Sequence, residues 1–154
     1  MKLGENLFPN DTYDTPADSM RCLADRLFLG SRWYFYWKNF LIFSRSGRCG
    51  RRGELDAAHQ IFYSNQNIKL IEECGGHIHL RGLDHLRALN GKPVVLIGNH
   101  MSLLETAIFH AILRPYLDFT FVIKAALLDV PHFGDIMRAI GAIEVGRDLS
   151  LIHI

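Results

Sequence analysis

Cysteine is scarce in this chain: of its 154 residues only Cys22, Cys49 and Cys74 are cysteines, far apart and with no Cys-x-x-Cys pair. That argues against a disulfide scaffold and fits a reducing compartment with buried or idle thiols. Long apolar runs are missing as well. The apolar core of the most aromatic stretch, residues 33–43 (WYFYWKNFLIF), is roughly 16 Å long as a helix, against about 30 Å of bilayer hydrocarbon. It is expected to lie at a membrane surface and not to span it. The first 19 residues carry Asp11, Asp14 and Asp18 and lack a basic region followed by an apolar core, so they read as a mobile polar lead and not as a secretory signal. No low-complexity tract or internal repeat occurs. With 49% hydrophobic residues and a net charge of +1, the composition is that of one domain.

Acid is absent from one long segment. Residues 26–52 hold Arg26, Arg32, Lys38, Arg45, Arg48, Arg51 and Arg52 and no Asp or Glu. At helical spacing Leu29, Trp33, Tyr36, Trp37, Phe40 and Leu41 share a face, with Ser31, Arg32, Lys38, Asn39 and Arg45 opposite, while Phe35 and Ile42 intrude on the polar side. Trp and Tyr favour interfacial depth, and Arg and Lys attract anionic lipid. An ordinary packed helix and a nucleic-acid patch are the competing readings. The membrane surface is preferred, and no nucleic-acid partner is expected.

Chemistry is concentrated where an apolar β-branched run, residues 93–97, meets Gly98-Asn99-His100-Met101-Ser102-Leu103-Leu104-Glu105. The run reads as a short buried strand, and residues 102–113 read as a helix. Five residues apart at about 100° per residue, His100 and Glu105 would diverge on an unbroken helix, so they meet only if His100 lies in the turn before it. Ser102 is the expected N-cap, which starts the helix just after the histidine. Glu105 can then accept from one ring nitrogen and leave the other free to take a proton. An imidazole suits this work because its ordinary pKa of about 6.5 lets it accept and return a proton near neutrality.

A second ordered block follows. After an expected strand at residues 119–123 come Lys124, Leu127, Pro131, Phe133-Gly134, Met137-Arg138 and then Gly141 through Gly146-Arg147. Together the two blocks, over roughly residues 75–148, resemble the glycerolipid and lysophospholipid acyltransferase family, the group that includes 1-acylglycerol-3-phosphate O-acyltransferases. The first block resembles its His-x4-Asp motif. The second resembles its run from a lysine, through a Pro-x-Phe-Gly turn, to a Gly-to-Arg strand. This chain departs in carrying Glu105 where most members have Asp, and Gly146 where an acid commonly precedes the arginine.

The resemblance implies transfer of a fatty acyl group from acyl-CoA or acyl carrier protein to the hydroxyl of a lysophospholipid such as lysophosphatidate, a step of phospholipid biosynthesis. His100 would be the general base and Glu105 its orienting partner. Arg147 and Lys124 would hold an anionic headgroup or a donor phosphate, the arginine by bidentate hydrogen bonds. No cofactor or metal is called for beyond the acyl donor itself, because the thioester is already activated and the alcohol lacks only a base. The expected place of work is the cytoplasmic face of a membrane, with peripheral attachment. A noncatalytic lipid-surface module is the alternative.

Around these blocks the pattern indicates a helix over residues 54–74, interrupted near Asn65-Gln66-Asn67 and stopped by Gly75-Gly76, then a strand at residues 77–81 and a short helix at 83–89. Helices alternating with short strands give an α/β fold with a mostly parallel sheet flanked by helices, preceded by an amphipathic membrane-interface segment. The domain plan is residues 1–20 as lead, 21–52 as interface segment and 53–148 as the first part of an acyltransferase domain. Residues 149–154 (LSLIHI) correspond to the translation of a transposon-based sequencing adaptor and are set aside. The third block of the resembled family, Phe-Pro-x-x-x-Thr-Arg, is expected beyond Arg147. The sheet is therefore expected to be incomplete and the 154 residues inactive and poorly stable alone. His77 and His79 on one strand face, with His85, His110 and His132 elsewhere, do not form a recognised zinc pattern.

Overall fold

The computed structural model describes residues 1–89, 91–99, 101–102 and 104–146. Its elements in chain order are β1 (Tyr13–Asp14), α1 (Leu23–Leu27), α2 (Arg32–Arg51), α3 (Ala57–Glu73), β2 (His79–Leu80), α4 (Leu83–Ala88), α5 (Leu104–Leu113), β3 (Val122–Lys124), a 3-10 turn (Ala125–Asp129), α6 (Phe133–Ala139) and β4 (Ile143–Val145). Helices and small sheets are mixed as expected, but among the described residues no mostly parallel sheet forms. Among the described residues two separate strand pairs occur: β1 with β2, antiparallel, and β3 with β4, parallel with Lys124 opposite Val145.

The run at residues 93–97, read as a buried strand, is irregular backbone, with Val95 87% and Ile97 94% exposed. β-branched composition fits a strand only when a neighbour takes its N–H and C=O groups. Among the described residues no strand does so for this run. The strand expected at 77–81 shrinks to two residues, and that expected at 119–123 is shifted onward to Val122–Lys124.

Helix α3 forms the spine. Asp56 caps it by accepting from the His59 N–H at 2.9 Å. It runs without a break through Asn65-Gln66-Asn67, because Asn65 is buried and donates to the Glu5 carbonyl at 2.7 Å, while Asn67 bonds Asn39 on α2 and the Tyr63 carbonyl. Its stop is at the two glycines: Gly75 takes a left-handed φ of +79°, and the Gly76 N–H donates to the Ile71 carbonyl at 2.8 Å.

Residues 1–20 are not a loose lead. Phe8 is 1% exposed within a core made with Ile68, Ile78, Leu83, Ala111 and Ile112. The Tyr13 hydroxyl and the Thr15 hydroxyl both donate to a Glu72 carboxylate oxygen at 2.7 Å. Arg87 pairs with Asp11.

Leu29 and Gly30, both at positive φ, separate α1 from α2, so Leu29 lies in the turn and not on the α2 face. Helix α2 buries Tyr34, Ile42 and Cys49 towards α3 and α6. Gly47 and Gly50 allow the close approach: a Cβ on Gly47 would lie 2.7 Å from the His132 Cβ, and one on Gly50 would lie 2.8 Å from the Asp135 carbonyl oxygen. The Arg51–Asp135 ion pair at 2.7 Å lies beside this contact. On the other side of α2 Trp33 (78%), Trp37 (62%), Tyr36 and Phe40 stay exposed, continuous in sequence with exposed Leu23, Leu27 and Phe28. None of the described helices is long and apolar enough to cross a membrane.

Candidate functional site

The turn entering α5 is built by Ser102 and Glu105. The Ser102 Oγ accepts from the Leu104 N–H at 3.1 Å. The Ser102 N–H donates to both Glu105 carboxylate oxygens at 3.0 Å, the Ser102 hydroxyl donates to Oε2 at 3.0 Å, and the Met101 N–H reaches Oε1 at 3.2 Å. This is a capping box, with a serine at the helix entrance and a glutamate three residues on reaching back to it. The Glu105 backbone N–H, the Ser102 hydroxyl and the Ser102 and Met101 N–H groups hold the carboxyl below its ordinary pKa, against a smaller opposing effect of burial. Glu105 is thus an ionised carboxylate at neutral pH, fixed at the start of the helix. His100 itself, and with it the expected contact to Glu105, lies outside the described residues. So does Arg147.

Lys124 ends β3 and is exposed. Its register partner is Val145 on β4, two residues before Arg147 in sequence. The Pro-His-Phe-Gly turn, residues 131–134, leads from the 3-10 turn into α6. A Cβ on Gly134 would overlap the Leu128 carbonyl oxygen, so this position accepts only glycine. Phe133 stacks on Phe43 of α2 with ring centroids 6.1 Å apart, and the second block therefore rests on the aromatic helix.

Between α2, α3, α5 and α6 lies a cavity of about 680 Å³. Its wall includes Tyr36 and Phe40 of the exposed aromatic face, Ile136 and Met137 of α6, and, at the α5 entrance, Ser102 and Leu104. Apolar side chains supply most of this lining, which suits a hydrocarbon chain. His110 also lines it. This imidazole, 5.0 Å from the Phe119 ring and edge-on to Phe121 at 5.6 Å, is buried, and burial first and the Arg114 charge second push its pKa down to about 4. It is a neutral imidazole at pH 7.

Two of these features had visible signals in the sequence. The Ser-x-x-Glu spacing at residues 102–105 marks the capping box, and the apolar neighbours of His110 (IFHAIL) mark a buried ring. The cavity had none, because it arises from four helices that only the tertiary fold brings together.

The family model described as Acyltransferase matches residues 77–152. No curated protein and no solved structure matches the chain.

Proposed function

Because residues 77–152 belong to the acyltransferase family, we propose that the chain takes part in transferring a fatty acyl group from the thioester of acyl-CoA or acyl carrier protein to the hydroxyl of a lysophospholipid, with lysophosphatidate as the leading acceptor. In this reading His100 removes the hydroxyl proton as the oxygen attacks the thioester carbonyl, the tetrahedral intermediate expels the thiolate, and the imidazolium returns its proton to that sulfur. Glu105, ionised and anchored by the turn, holds the ring and favours the imidazolium. Lys124 and Arg147 hold the phosphate of the acceptor or donor.

The observation that carries the proposal is the span of the cavity. Tyr36 and Phe40 belong both to its wall and to the exposed aromatic face, while Ser102 and Leu104 belong both to its wall and to the entrance of α5, two and four residues after His100 in sequence. A lipid chain entering from the side of α2 would reach the turn without leaving apolar surroundings. The aromatic face then lies at the membrane surface, peripherally and on the cytoplasmic side, with Trp33 and Trp37 at headgroup depth. Apolar patches of this kind on a protein surface usually mark an interaction site.

The second reading is a noncatalytic lipid-surface module. It is favoured by the hydrogen bonds that Glu105 spends on its own turn. Substituting His100→Ala in the complete enzyme separates the two. Acyl transfer should be abolished while liposome binding is kept; turnover like that of the wild type would reject the assigned base and leave the lipid-binding module.

A further inference from the structure

Tyr63 also borders a second cleft, of about 240 Å³, between α2 and α3, lined by Arg45, Arg48, Cys49, Arg52, Glu54, His59 and Tyr63. The three arginines follow one another at i, i+3 and i+7 along the last turns of α2 and its C-cap, a spacing that puts them on one stripe. Arg48 is held by its Nε, which donates to the Ser44 carbonyl at 3.3 Å and leaves its terminal nitrogens for another acceptor. Arg51, the basic residue off this stripe, is already paired with Asp135. Among the described residues neither Arg45 nor Arg52 has an ion-pair partner. The His59 ring is fixed by the 2.8 Å contact between its Nδ1 and Asp56. Glu54 is the one carboxylate of the lining, against three guanidinium groups.

We propose that this cleft binds a phosphomonoester group, with Arg45, Arg48 and Arg52 as its cationic cradle and His59 and Tyr63 as further hydrogen-bonding groups. Arginine forks suit tetrahedral oxyanions, which they meet with two parallel N–H bonds. The cleft has room for a phosphate group and opens to solvent on the side where the rest of the ester would lie. The excess of positive charge over Glu54 favours a dianion. Two sources carry this chemistry, a lipid headgroup of the phosphatidic-acid type and a soluble phosphate ester. The site is distinct from the Ser102–Glu105 turn, and the proposal does not rest on acyl transfer.

The test uses the full chain, sn-glycerol 3-phosphate as soluble probe, and phosphatidylcholine vesicles doped with phosphatidic acid or, at matched charge, phosphatidylserine. The cleft pair Arg45→Gln/Arg52→Gln is compared with Arg32→Gln/Lys38→Gln, which removes equal charge from α2 outside the cleft; all four side chains are solvent-facing or partly so, and matched circular dichroism checks the fold. The cleft pair should weaken glycerol 3-phosphate binding by about tenfold or more, through two lost charge-assisted contacts, while the control pair leaves it unchanged and weakens binding of the two anionic vesicles alike. Loss of preference for phosphatidic acid over phosphatidylserine in the cleft pair identifies the headgroup as the source. Weakened glycerol 3-phosphate binding without any such lipid preference identifies the soluble ester. Equal weakening of glycerol 3-phosphate binding in both variant pairs, an unchanged affinity and lipid preference in the cleft pair, or no saturable binding of either probe by the wild type, overturns the proposal.

Discussion

Ser102 and Glu105 hold each other in place: the serine N–H and hydroxyl both donate to the glutamate carboxylate at 3.0 Å, while the serine oxygen takes the Leu104 N–H. A single carboxylate therefore carries two duties in the proposed enzyme, closing the first turn of α5 and orienting the base. Substitutions separate them. Glu105→Gln keeps an acceptor for the turn but no charge for the imidazolium, so acyl transfer should fall about a hundredfold or more with little change in melting temperature. Ser102→Ala should do the reverse, costing about 1 kcal/mol of stability with a smaller loss of rate. Unchanged turnover in Glu105→Gln would leave this residue a purely structural cap.

The buried His110 makes stability depend on pH in a definite direction. Its pKa is about 4 in the fold against an ordinary 6.5, so between those values the unfolded chain binds the extra proton and stability falls as pH falls. The loss begins near pH 6.5, is complete below about pH 4, and amounts to at most about 3 kcal/mol. His110→Phe, which preserves the ring stack on Phe119, should flatten this part of the profile. Urea unfolding at several pH values measures it; an unaltered slope in the variant would assign the acid sensitivity to other groups.

Gly47 and Gly134 are expected to tolerate no side chain. Alanine at Gly47 would press on the His132 backbone and alanine at Gly134 on the Leu128 carbonyl, so each should destabilise by about 1–3 kcal/mol, with Gly134 the more severe. Gly98→Ala, where a Cβ meets nothing within 4 Å, serves as the neutral comparison. Equal midpoints for Gly47→Ala and Gly98→Ala in urea would show that α2 and α6 are not closely docked, and an unchanged midpoint in Gly134→Ala would show the same of α6 and the 3-10 turn.

Helix α2 should divide cleanly by face. Ile42→Ala removes a buried side chain and is expected to cost about 2–5 kcal/mol. Trp33→Ser with Trp37→Ser touches only exposed rings and should leave stability within about 0.5 kcal/mol while reducing vesicle binding in a flotation assay. Undiminished flotation of the double variant would remove the aromatic face from the membrane.

How much of this was legible in the sequence differs by element. The helix after His100, its serine start, α3, its glycine stop and α4 are all local patterns, and they appear within a few residues of where the spacing puts them. The strand at 93–97 does not, since its β-branched residues state a preference and not a partner. Asn65 looked like a breaker because its value to α3 lies in a bond to Glu5, 60 residues away. On α2 the density of aromatics drew attention to the exposed face and hid the buried stripe of Tyr34, Ile42 and Cys49, together with the small residues Gly47 and Gly50 that seat it. Of the four expected site residues, Glu105 and Lys124 lie among the described residues, the first at the α5 turn and the second at the end of β3.

Phe8 is synthesised long before the residues that enclose it. Its core neighbours are Ile68, Ile78, Leu83, Ala111 and Ile112, and at typical rates of translation roughly 5–20 s separate Phe8 from the last of them. Until then a phenylalanine that ends up sealed from water is exposed on a nascent chain, and β1 has no strand to meet before His79 and Leu80 emerge. The residues around Phe8 are thus made well before they can find their place, and a chaperone that grips this segment would hold the whole fold open.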